Sequence, residues 1–118
     1  MLIGKQTQLN NTLEEVLSML VPRVRRLTPE EFLDSNVPGG VTDSIVFVNL
    51  TDLTDEETAI LQKLKESNSP AKIVGIHTFM VPAMKKEVLD RGYDAYISFF
   101  EFSEQVEELL QSFGIKTL

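Results

Sequence analysis

Residues 44–50, SIVFVNL, form a short and nearly unbroken apolar run, rich in Ile and Val, that closes on one amide side chain, Asn49. A run of this length without polar alternation reads as a strand buried on both faces. Such a strand needs cover above and below, so a chain built around it folds in layers. The carboxyl end of a buried parallel strand is where α/β sheets bind ligands or perform chemistry. Asn49 holds that place, and an amide neither ionises nor accepts a phosphoryl group readily.

The rest of the chain repeats the alternation. MLI at the start is a short strand. Leu9, Leu13, Val16, Leu17 and Leu20 make one helical stripe, with Asn11 or Thr12 as caps and Pro22 as the stop. RVRRL is a second strand. Thr28-Pro29-Glu30-Glu31 is a helix start, with a capping threonine, proline at the first helical position and glutamate three residues past the cap. Gly39-Gly40 belongs to turn chemistry, since neither GxGxxG nor GxxxxGK[ST] is present. Thr54 and Glu57 box a helix carrying Ile60, Leu61 and Leu64 inward, which stops at SNSP. KIVGIH, 72–77, is the fourth strand. Pro82 opens a helix with Met84, Val88 and Leu89 inward, and Gly92 supplies its left-handed end. AYISFF, 95–100, is the fifth strand, and Ser103 caps a last helix with Val106, Leu109, Leu110 and Phe113 inward, ended by Gly114. Strands alternating with helices around three apolar central strands imply an α/β fold with a parallel sheet covered on both faces.

Composition narrows the function. At 118 residues the chain is one domain, 1–118. No apolar stretch approaches the roughly 20 residues of a membrane span, and no signal peptide opens the chain. Zero cysteines exclude disulfides and thiolate chemistry, and a cytoplasmic location fits. A formal charge of −7 argues against nucleic-acid binding, which needs clustered cations. The local exception, Arg23, Arg25 and Arg26, reads as the solvated edge of a strand. With His77 the sole histidine, a histidine metal cluster is impossible and no catalytic triad assembles. No metal or cofactor is expected, and no enzyme activity.

Over essentially its whole length, and most strongly from residue 44 onward, the chain resembles a response-regulator receiver domain, the CheY-like module of two-component signalling. SIVFVNL is similar to the receiver strand that ends in the phospho-accepting aspartate. KIVGIHTF is similar to the fourth strand, which ends in Ser or Thr, and DRGYDAYISFF to the stretch leading to a lysine-proline pair. The resemblance implies a flavodoxin-like (βα)5 three-layer sandwich with strand order 2-1-3-4-5. It also implies a phosphorylation pocket of two acids after the first strand, the aspartate, a hydroxyl and a lysine, with Mg²⁺ on the carboxylates. This sequence departs there: Lys5 and Gln6 follow the first strand, Asn49 replaces the aspartate, and Phe99 stands where the lysine is expected. Thr78 is the hydroxyl that matches, with His77 competing for the place. Making Asp52 the acceptor would pull polar Asn49 and Thr51 into the sheet. The expectation is a degenerate pseudo-receiver with a vestigial pocket of Lys5, Gln6, Asn49, Thr78 and Phe99, in which the Lys5 ammonium stands where a metal would sit. Receivers often precede an effector domain, which here would lie beyond residue 118.

An aromatic cluster supplies the positive expectation. FFEF, 99–102, sets three phenylalanines where a loop should begin, and the resemblance places them on the helix 4–strand 5–helix 5 face, a docking surface in receivers. Tyr96, Phe100 and Phe102 are the expected contacts for a protein partner or a homodimer. The alternative is small-molecule sensing at the strand ends, by Gln6, Asn49, His77 and Thr78 with Ser98 beside them.

Overall fold

The computed structural model describes residues 1–21, 24–34, 45–53, 55–66, 71–115 and 117. Five parallel strands form one sheet in the order β2-β1-β3-β4-β5. They are β1 Leu2–Ile3, β2 Arg26–Leu27, β3 Ile45–Asn49, β4 Lys72–His77 and β5 Ala95–Ser98. The helices are α1 Gln8–Leu20, α2 Pro29–Asp34, α3 Glu57–Glu66, α4 Pro82–Asp90 and α5 Phe99–Ser112, and a 3₁₀ turn, Leu50–Asp52, follows β3. The flavodoxin-like expectation and its strand order are borne out.

Alternation along the strands divides the core in two. Leu2, Ile45, Phe47, Val74, Ile76 and Ile97 face Leu13 and Leu17 of α1 and Phe102, Val106 and Leu110 of α5. Ile3, Val46, Val48 and Ile73 face Phe32 of α2, Ile60 and Leu64 of α3 and Val88 of α4. All five residues of β3 are buried, as a central strand between two helical layers requires.

Local chemistry explains the best-defined ends. Thr28 and Glu31 form a reciprocal capping box: the Glu31 N–H donates to Thr28 Oγ1 at 3.1 Å and the Thr28 N–H to Glu31 Oε1 at 3.0 Å. Lys63 of α3 closes the other end of α2 by donating to the carbonyls of Phe32 and Leu33. Gly92, with φ 112°, ends α4 in a conformation that side chains disfavour.

Several expected boundaries move. Helix α1 starts earlier than an Asn11 or Thr12 cap would place it, because Thr7 is the cap and accepts from the Asn10 N–H. Strand β5 stops at Ser98, and FFEF is helical, with Ser98 rather than Ser103 at the cap of α5. The reason is period: Phe99, Phe102, Val106 and Leu110 make a helical stripe, not an alternating one. Leu89 is exposed on α4, while Val88 is buried and Met84 half-buried. Strand β2 keeps two residues of RVRRL. Arg23, Pro22, Gly39-Gly40, the Thr54 cap and the SNSP stop lie outside the described residues.

Candidate functional site

Asn49 ends β3 fully enclosed, and its partner is an amide from α1. Its Nδ2 donates to Asn10 Oδ1 at 2.8 Å, and its Oδ1 accepts from the Thr51 N–H at 3.1 Å, capping the 3₁₀ turn. Asn10, 0% exposed, donates in turn to the Lys5 carbonyl at 2.7 Å and to Asp52 Oδ2 at 2.6 Å. The same carboxylate oxygen accepts from the Lys5 N–H at 2.8 Å. One closed network thus ties the end of β1, the start of α1 and the end of β3. Gly4 makes room for it: a Cβ there would sit 2.5 Å from Asn10 Nδ2.

The expected vestigial pocket is therefore built differently from its reading in sequence. Asn49 is in it, and Asn10 and Asp52, which that reading did not select, complete it. Asn10 had a signal: it stands at i−3 from Leu13 and i−7 from Leu17, a polar residue on the inward stripe of α1. Lys5 contributes its backbone, and its side chain is exposed, so no ammonium fills the network. Gln6 turns away to accept from Arg26 Nη2 at 2.5 Å. Arg26 also reaches Asn11 Oδ1 at 2.5 Å and Glu14 Oε2 at 3.1 Å, so this arginine braces the β1–α1 turn instead of lining a solvated edge. Phe99 is half-buried against the α1–α5 core. Thr78 stays at the crevice mouth, with its N–H and hydroxyl on Thr51 Oγ1 at 3.0 and 3.2 Å.

The alternative ligand site is divided by the sheet. Asn49 shares parity with Ile45 and Phe47 and points toward α1, whereas His77 shares parity with Ile73 and Gly75 and points toward α3 and α4. His77 Nδ1 lies 2.5 Å from the Tyr96 hydroxyl, with the two rings edge to face at 5.2 Å. The Val81 N–H donates to the same hydroxyl oxygen at 3.3 Å. The Tyr96 hydroxyl thus links the imidazole to the backbone at the start of α4. Ser98 is buried and donates to Glu101 Oε1 at 3.2 Å.

Burial lowers the His77 pKa from its ordinary 6.5, opposed by the Glu57 carboxylate and assisted by the Arg91 guanidinium. A depressed imidazole takes up its proton at lower pH in the folded chain than in the unfolded one. The stability tied to its neutral form is complete above pH 6.5 and is lost as pH falls below that value toward the folded pKa. Urea unfolding is expected to show stability declining as pH falls below 6.5, with part of that slope absent in His77→Gln. Identical slopes in both chains would contradict the assignment.

The aromatic cluster also separates. Tyr96 and Phe102, expected on a partner face, are core residues at 4% and 1% exposure. Tyr96 is held inward by its hydroxyl contacts, and Phe102 meets Phe47 edge to face at 5.6 Å. Phe100 is exposed as expected, at 62%, and Phe79 joins it at 66%, their centroids 5.1 Å apart. Elsewhere, a groove of about 500 Å³ runs along α3 to Arg91, and its rim is already paired, Glu57 with Arg91 and Gln62 with Glu66.

Among the described residues no three His, Cys, Asp or Glu side chains are grouped to hold a metal ion, and no helix is long and apolar enough to cross a membrane. No protein-family model matches the chain, and no curated protein matches its sequence. Its fold is similar to that of a response regulator protein from Burkholderia pseudomallei, solved with a phosphorylated aspartic acid, calcium ion and citrate. That likeness has a TM-score of 0.61 at 17% identity and covers 93% of this chain and 72% of that one. It is also similar to a putative CpaE2 pilus assembly protein from Sinorhizobium meliloti 1021, with a TM-score of 0.56 at 19% identity, covering 89% of this chain and 94% of that one. The chain has the flavodoxin-like fold of the response-regulator receivers.

Proposed function

We propose that this is a pseudo-receiver: a cytoplasmic signalling or scaffold domain that keeps the receiver fold, performs no phosphoryl transfer, and acts by docking a protein partner through Phe79 and Phe100. The observation that carries the reading is this aromatic pair, two rings packed on each other with about two thirds of each in solvent. Exposed aromatics in contact are what an interface uses, since they add large apolar area at little cost in side-chain entropy.

The strand-end network supports the other half. A phosphoryl acceptor needs a carboxylate open to its donor and a cation to offset the charge that builds on the transferred group. Here the end of β3 carries an amide, and the hydrogen-bonding groups around it are occupied by one another. A small-molecule role has less support, because Gln6 is held by Arg26 and Asn49 and His77 face opposite sides of the sheet. The Sinorhizobium neighbour is named as a pilus assembly protein, which accords with a domain of this shape working through protein contacts.

Incubation with acetyl phosphate and Mg²⁺ is expected to leave the intact mass unchanged; a gain of one phosphoryl group would overturn the reading. The docking half is tested by Phe79→Ser/Phe100→Ser. This variant is expected to keep the wild-type melting temperature within a few degrees and to fail to retain a protein that the immobilised wild type retains; equal retention by both would overturn the docking half.

A further inference from the structure

Phe100 heads an exposed stripe of α5. Phe100, Glu104 and Glu107 stand at i, i+4 and i+7, one side of a helix, and all three are exposed. Phe79 packs against the head of this stripe, and Val81, two residues on, is exposed as well. The aromatic pair is thus the apolar cap of an acidic ridge. The ridge charges are uncompensated: among the described residues, neither Glu104 nor Glu107 has a hydrogen-bond or ion-pair partner. Several other acids are used internally. Glu14 pairs with Arg26, Glu57 with Arg91, and Glu101 accepts from Ser98 and Gln105. On the α4 side stand two exposed cations, Lys85 and Lys86, about a turn beyond Val81, and neither pairs with Glu104 or Glu107 among the described residues.

We propose that this surface receives a basic amphipathic segment of a protein partner. An apolar side chain of the segment seats against Phe79 and Phe100, and its Lys or Arg residues lie over Glu104 and Glu107. The inference rests on the docking reading above and adds the partner's charge and its orientation. Apolar contact supplies affinity but little direction, while a row of unpaired carboxylates beside it attracts cations, speeds encounter and rejects acidic competitors. The same carboxylates disfavour nucleic acid and anionic lipid. A second copy of the chain is a poorer occupant, because it brings a net charge of −7 to a ridge already acidic.

Three synthetic helical peptides with identical leucine and tryptophan anchors, flanked by lysine and arginine, by glutamine or by glutamate, separate the two claims. Titrated into isotope-labelled protein, the basic peptide is expected to shift the amides of Phe79, Phe100, Glu104 and Glu107. It should bind about tenfold tighter than the glutamine peptide at low salt. That advantage should vanish near 1 M salt, where the Debye length is about 3 Å. Glu104→Gln/Glu107→Gln is expected to abolish the preference while retaining the glutamine peptide, and Phe100→Ser to abolish both. Equal binding of all three peptides would overturn the basic-partner inference and leave the docking face standing. No shift at the aromatic pair with any peptide would overturn both. A concentration-dependent dimer in sedimentation that Phe100→Ser dissolves would replace the proposed occupant with a second copy.

Discussion

Replacing Asn10 with alanine is expected to lower the unfolding free energy by about 2–4 kcal/mol, through buried polar groups left without partners. The change strips the Asn49 Nδ2 of its acceptor and removes a donor from both the Lys5 carbonyl and Asp52. The Asn49 amide has nowhere to turn, since its residue is 1% exposed and its other atom is committed to the Thr51 N–H. Denaturant melts of Asn10→Ala, Asn49→Ala and the double variant would measure the pair. The double variant should lose less than the sum of the single losses, because two partners removed together leave fewer orphaned groups. Strict additivity would mean that the amides do not act as a unit. Asn10→Asp tests the carboxylate side: it would set a second acid against Asp52, so its destabilisation should ease as pH falls and the pair protonates.

Phe102→Ala is expected to cost about 3–5 kcal/mol, the usual range for emptying a buried phenylalanine site, whereas Phe100→Ala should stay within about 0.5 kcal/mol, as exposed positions do. Both sit in FFEF, two residues apart, so composition and local sequence are matched. The difference is placement. Phe102 meets Phe47 under β3, while Phe100 meets Phe79 in solvent. Thermal or urea unfolding of the two variants decides the matter. A large loss for Phe100→Ala would show that the exposed pair is a structural element and would weaken its assignment as a docking face.

Legibility in sequence followed the range of the interactions. The start of α2 could be read because its capping box spans four consecutive residues and needs nothing else. Strand β4 was read to the residue, as an apolar segment with sharp polar flanks. The start of α5 was not, since FFEF is apolar under either period, and only the continuation to Val106 and Leu110 against Phe47 makes the helix win. Asn49 could be singled out by its position at a strand end. Its partner is 39 residues away in sequence, and the carboxylate that completes the network is 42 residues from Asn10.

The layering was dictated by local pattern alone. Apolar strands too short to be core helices, each followed by a one-sided helical stripe, admit a parallel sheet with helices on both faces. The periodicities of strand and helix allow little else. The use of individual polar and aromatic side chains was settled by long-range packing. Gln6 went to Arg26, Asn10 to Asn49, Tyr96 to His77, and Phe100, unlike Phe102, to the surface. The reason is that a hydrogen bond or ring contact is set within a few tenths of an ångström by elements distant along the chain, whereas burial of a stripe tolerates many such arrangements.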